Sequence, residues 1–130
     1  MIITGCKKIV GGSGTGRTLV TGQPINFLAM VDAKTGRVID RKHDLYGRSL
    51  KNAVLVYPNA VGSSVGAYVF YSLAQNGAAP SAIVCIKADI TTASGCAIAS
   101  IPVVDLPARA KVKAGVKATV NADAGTIATV

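Results

Sequence analysis

A chain of 130 residues, half of them hydrophobic, holds enough apolar material for one compact domain and too little for two. With two Phe, four Tyr and no Trp, its core must be assembled from small and β-branched side chains, which points to an α/β or β-rich fold. Fourteen Lys and Arg against six Asp and Glu give a net charge of +8, which alone fits nucleic acid, an anionic small molecule or an acidic partner protein.

The distribution of that charge narrows the choice. The cations are scattered: Lys7, Lys8 and Arg17, a denser stretch from Lys34 to Lys51, then Lys87 and a tail from Arg109 to Lys117. Neither interleaved aromatic rings nor a basic recognition helix accompanies them, which argues against nucleic-acid binding and for a solvated or partner-facing surface. No apolar run approaches the ~20 residues that cross a bilayer. The start, MIITGCKKIV, puts its apolar segment before its lysines, so neither a membrane span nor a secretory signal is expected. Cys6, Cys85 and Cys96 are odd in number and lack Cys-x-x-Cys spacing, which speaks against a disulfide framework or a zinc knuckle and for a reducing cytoplasm.

In chain order, Ile2 to Val10 alternates imperfectly and reads as a strand, Gly11 to Gly16 as a flexible turn, and Arg17 to Val20 as a second strand. The glycine run lacks the Gly-Lys-Ser/Thr ending of a phosphate loop, and no helical pattern follows it. Ile25 to Val31 reads as a buried strand, Asp32 to Gly36 as a turn leading into Arg37 to Asp40, and Asp40 to Leu50, which contains the only histidine, His43, as an exposed loop. Ala53 to Tyr57 is a continuous apolar run stopped by Pro58-Asn59, as expected of a strand buried on both faces. After Gly62-Ser63-Ser64, apolar positions at Val65, Val69 and Leu73 predict an amphipathic helix that stops at Asn76-Gly77. Ser81 to Ile86 is a strand, Thr91 to Ala99 a short helix, and Ile101 to Asp105 a strand with Pro102 near its start. The tail offers two weak strands, Lys117 to Val120 and Thr126 to Val130, around the Asn121 to Gly125 turn. The rhythm is β-α-β-α-β within a single domain, residues 1–130.

The serine loop has the clearest chemical potential. A strand, then Gly62-Ser63-Ser64, then a helix places hydroxyls where unpaired backbone N–H groups and the positive helix end favour negative charge. Two readings stand together: a serine caps the helix, or a serine acts as a base whose alkoxide those donors stabilise. Gly62-Ser63-Ser64-Val65-Gly66 also satisfies Gly-x-Ser-x-Gly, but no histidine follows Ser64, so the hydrolase chain order fails. His43 with Asp32, Asp40 or Asp44 as orienter would have to be recruited in space, whereas a histidine among charged neighbours reads as a surface or interface group. The three cysteines read as buried, inert thiols rather than as ligands of an open iron-sulfur cluster.

Three blocks, VDAKTGRVIDRKHDLYG from Val31 to Gly47, VGSSVGAYVFYSLAQNGAAPSAIV from Val61 to Val84, and ASGCAIASIPVVD from Ala93 to Asp105, together resemble the small subunit of the aconitase X family. The resemblance implies an α/β, swivelling β/β/α domain, a mixed sheet or barrel-like core with two short helices, that closes over a large catalytic subunit. That partner would carry the 4Fe-4S cluster on its own cysteines, leaving no metal site on this chain. It further implies Ser63 as the catalytic proton acceptor, Gly62 and Ser64 as substrate contacts, and a loop with Asp32 and His43 facing substrate or partner. The implied reaction is the dehydration of a small anionic substrate, mevalonate 5-phosphate, to trans-anhydromevalonate 5-phosphate. The alternatives are dehydration of a hydroxyproline and a non-catalytic binding domain. The chain departs from the family pattern at Val61, where many relatives have a basic residue, and at Ala67, where they have a small polar one.

Overall fold

The structure, a computed structural model, describes residues 1–130. Its strands are β1 (Ile2–Ile3), β2 (Lys7–Val10), β3 (Ser13–Val20), β4 (Val54–Tyr57), β5 (Ala82–Cys85), β6 (Val103–Asp105), β7 (Lys117–Asn121) and β8 (Thr126–Thr129). Three helices join them: α1 (Phe27–Met30), α2 (Gly66–Gln75) and α3 (Ile90–Ala99). All eight strands form one mixed sheet in the order β1-β8-β7-β3-β4-β5-β6-β2. β3 to β6 run parallel, and the flanking pairs are antiparallel.

Every residue of β4 and β5 is buried, as the uninterrupted apolar runs predict for strands covered on both faces. Alternation divides them into two layers. Leu55, Tyr57, Ile83 and Cys85 face the helices and meet Phe27, Phe70, Leu73 and Cys96. Val54, Val56, Ala82 and Val84 face the other way and meet Ala118, Val120 and Ile127 of the C-terminal ribbon and Val112 of the segment before it. β3 makes this possible by serving two neighbours: Ser13 to Arg17 pair with β7, and Thr18 to Val20 with β4. The outcome is a ribbon layer, a parallel-sheet layer and a helix layer, which is the β/β/α architecture.

Two expectations are corrected here. Ser13 to Gly16 are not a flexible turn but the first half of β3, and only Gly11-Gly12 turn the chain. Gly14 and Gly16 are required because a Cβ at either would strike a backbone carbonyl oxygen, that of Ser81 or of Asn52. The segment from Ile25 to Val31 is not a strand; its centre is the one-turn helix α1, a third helix beyond the two expected. Asn26 caps α1 by accepting the Ala29 N–H at 3.2 Å, while Phe27 is buried against Tyr57 and Phe70 at ring-centroid distances of 5.6 and 4.2 Å.

α2 buries Gly66, Val69, Phe70 and Leu73, whereas Val65 and Tyr68 are exposed. It ends in a six-residue backbone closure: the Ala78 N–H donates to Leu73 O at 2.9 Å and the Gly77 N–H to Ala74 O at 3.2 Å, with Gly77 at φ +66°. Gly77→Ala is therefore expected to destabilise the fold by about 1 kcal/mol, because a Cβ resists this left-handed conformation. Urea unfolding measures that loss as a lower midpoint at unchanged slope. All fourteen basic side chains are exposed, and the ion pair between Lys8 and Asp123 (2.9 Å) lies in the open, where it contributes little. No helix is long and apolar enough to cross a membrane.

Candidate functional site

The serine loop leaves the carboxyl end of β4, the end of a parallel sheet at which open α/β folds place their ligands. Two neighbours seat it. On one side it pairs with the segment that leads into α1: the Ile25 N–H donates to Asn59 O at 3.3 Å and the Val61 N–H to Ile25 O at 3.0 Å. On the other side the Ala60 N–H donates to Asp89 Oδ1 at 2.7 Å. Gly62 turns the chain at φ +95° against the Asn26 side chain, into which any Cβ would project.

Ser63 and Ser64 follow, both exposed. Ser63 Oγ accepts the Val65 N–H at 3.2 Å, and the carbonyls of Ser63 and Ser64 accept the N–H groups of Gly66 and Ala67, each at 3.0 Å. The helix proper has Val65 at its cap position, with no side-chain cap bond. Ser63 thus satisfies one donor of the helix start, and the N–H groups of Gly62, Ser63 and Ser64 make no bond within the chain. The positive end of a ten-residue helix together with three unpaired donors is an arrangement that favours an anion or a developing oxyanion. Ser64 also borders a shallow groove between α2 and α3 lined by Tyr68, Tyr71 and Ile98.

Sequence reasoning missed Asp89. It caps α3 by accepting the Thr92 N–H (3.0 Å) and also accepts the Thr92 hydroxyl (2.8 Å) and the Ala60 N–H. Thr92 Oγ1 in turn bonds the Tyr57 hydroxyl, and both residues are buried. Burial holds the Tyr57 phenol well above its ordinary range, so it stays protonated and donates to Thr92. The signal was an aspartate immediately before the apolar pattern of α3, where an N-cap belongs.

His43 is buried, not exposed: the residue is 7 % accessible, its Nε2 lies 3.2 Å from Pro24 O, and its Nδ1 accepts the Leu45 N–H at 3.1 Å. Both ring nitrogens are engaged by the backbone, so it has none free for a serine. Asp44 Oδ2 accepts the Thr21 hydroxyl (2.8 Å), and Asp40 Oδ1 accepts the Lys42 N–H (2.9 Å), so neither orients the imidazole. Asp32 Oδ1 closes its own turn by accepting the Lys34 N–H. That turn is tied through Ala33 O to Asn76, at the C-terminal end of α2. Ser63 precedes the other end, about 15 Å of helix away, so the fold does not bring Asp32 to the serine loop.

The cysteines do not suit an iron-sulfur cluster. Cys6 lies in the ribbon-side core, Cys85 and Cys96 in the helix-side core, and burial pushes all three thiols up, away from the thiolate form that binds iron. No three His, Cys, Asp or Glu side chains stand together as a metal-ligand set.

Comparison with known proteins finds relatives along nearly the whole chain. A phosphomevalonate dehydratase small subunit from Methanothermobacter thermautotrophicus is 43% identical over 125 residues, covering 94% of this chain and 95% of its own. Another, from Methanocella arvoryzae, is 45% identical over 123 residues, covering 92% and 93%. The crystal structure of the holo form of aconitase X from Thermococcus kodakaraensis superposes with a TM-score of 0.93 at 39% identity, covering 100% of this chain and 98% of the matched one. With residues 3–129 matching the aconitase X swivel-domain model, this chain belongs to the aconitase X swivel-domain family.

Proposed function

We propose that this chain is the small subunit of a cytoplasmic hydro-lyase that converts mevalonate 5-phosphate to trans-anhydromevalonate 5-phosphate, and that it works only with a large subunit. The observation that carries the proposal is the contact of Ser63 Oγ with the Val65 N–H at the start of α2. A hydroxyl already accepting a hydrogen bond at a positive helix end is placed to hold negative charge, as a proton acceptor must.

In this reading the Ser63 alkoxide takes the proton from the carbon beside the substrate carboxylate while the hydroxyl on the neighbouring carbon leaves with its bonding electron pair; passage of that proton from Ser63 to the hydroxide releases water and restores the alkoxide. Gly62, with no Cβ to strike Asn26, turns the chain so that the free N–H groups of Gly62 to Ser64 contact an anionic group of the substrate. The Ser64 hydroxyl, which has no partner within the chain, is a further substrate contact. The exposed cations suit a substrate carrying both phosphate and carboxylate. The 4Fe-4S cluster of the family belongs to the large subunit, in keeping with three buried, protonated thiols on this chain.

The test is co-expression with the large subunit and assay on both mevalonate 5-phosphate and hydroxyproline. Mevalonate 5-phosphate is expected to yield an unsaturated carboxylate, followed by its ultraviolet absorbance. Turnover of hydroxyproline alone would replace the proposed substrate, and an assembled, cluster-loaded complex inert on both would sink the reading.

A further inference from the structure

The residues around His43 form a clasp whose purpose is not local. Leu45 N–H can only donate, so His43 Nδ1 is the acceptor and Nε2 carries the proton, which it donates to Pro24 O. Beside it, the Thr21 hydroxyl donates to Asp44, the Asp44 N–H to Gln23 Oε1, and the Gln23 N–H to Thr21 Oγ1. Residues 43–45 are thereby fixed on residues 21–24, where the chain leaves β3.

The next residues carry the serine loop. Ile25, adjacent to the clasped Pro24, exchanges backbone bonds with Asn59 and Val61, and Asn26 is the wall against which Gly62 turns. Pro24, His43 and Val61 border one concavity on this side of the molecule. From the imidazole to the serine the connection is continuous: His43 to Pro24, Ile25 to Val61, Asn26 to Gly62, then Ser63.

We propose that His43 is a positioning residue that, by donating its Nε2–H to the Pro24 carbonyl, fixes the segment on which the Gly62-Ser63 loop is seated. It rests on the reading of Ser63 as the base, and it assigns His43 no contact with substrate. A loop base misplaced by about 1 Å loses roughly a hundredfold in rate, so a carbonyl anchor on the residue next to the loop's pairing partner has kinetic leverage.

The variants separate this role from packing and from acid–base work. In His43→Gln the amide nitrogen reaches the place of Nε2 and keeps the donor to Pro24. In His43→Asn the amide oxygen takes the place of Nδ1 and keeps only the acceptor for Leu45. In the assembled complex, Gln is expected to hold kcat within about threefold, while Asn and Ala lower it by about tenfold or more with KM nearly unchanged. Hydrogen exchange read by mass spectrometry is expected to speed up over Asn59 to Val65 in the Asn and Ala variants, with β5 unaffected. Gln as poor as Ala, wild-type turnover by Asn, or unchanged exchange in that peptide would each overturn the proposal. Ser63→Ala in the same series keeps the two readings apart: full activity there removes the base assignment, while exchange alone still decides whether His43 seats the loop.

Discussion

Ser63→Ala in the complex with the large subunit is expected to lower kcat by about a thousandfold, in the middle of the range for loss of a general base. Such a loss corresponds to about 4 kcal/mol of transition-state stabilisation. KM should change little, since in the proposed reading the anionic groups are bound by N–H donors and cations that the variant keeps. Folding should survive: the one bond lost is the 3.2 Å contact with the Val65 N–H, an exposed donor that water can satisfy. Ser64→Ala provides the contrast. It removes a hydroxyl with no partner within the chain, and its effect should appear in KM, within about tenfold, because a substrate contact shared by ground and transition states acts on binding. Steady-state kinetics on both variants, with the cluster spectrum as a check on assembly, reads the difference. Wild-type kcat for the Ser63 variant would exclude Ser63 as the base.

The position of Ser63 could be read from the sequence because each step before it is local. Val54 to Tyr57 are apolar without interruption, Pro58-Asn59 stops the strand, and α2 shows its period and its Asn76-Gly77 stop. Three blocks with the family's spacing then connected the loop to aconitase X. What the sequence hid depends on contacts between distant segments. The run from Ile25 to Val31 is too short for its apolar pattern to separate strand from helix, and the choice is made by the Asn26 cap and by burial of Phe27 on Tyr57 and Phe70. Gly14 and Gly16 look like turn residues until the carbonyls of Ser81 and Asn52 are seen against them. His43 sits among charged residues in sequence, yet its partners are the carbonyl of Pro24, 19 residues away, and the N–H of Leu45. Asp89, too, shows in the sequence only as a cap, because its contact with Ala60 spans 29 residues.

Asp89→Ala is expected to cost about 3 kcal/mol of stability, and the reason lies in what the carboxylate leaves behind. Its two oxygens accept from Ala60 N–H, Thr92 N–H and the Thr92 hydroxyl, and both residues are buried. Removing the carboxylate strands these donors, at about 1–3 kcal/mol for a buried one, and takes away the cap of α3, worth about 1 kcal/mol. Relaxation and water entry hold the total below the sum, and for a domain of this size the melting temperature should fall by about 10 °C. Asp89→Asn keeps one acceptor oxygen and turns an NH2 group toward a donor, so it should lie between wild type and Ala. The hydroxyl pair behind the carboxylate follows a different rule. Thr92→Val alone leaves the buried Tyr57 hydroxyl without its acceptor and should cost about 1–3 kcal/mol, whereas adding Tyr57→Phe removes the stranded group and should recover part of the loss. Thermal unfolding of the four variants and the wild type measures both effects. Because Asp89 holds Ala60, three residues before Ser63, the Ala variant should also lose turnover at temperatures where it remains folded. A variant with wild-type melting and wild-type kcat would show that the serine loop is seated from the Ile25 side alone.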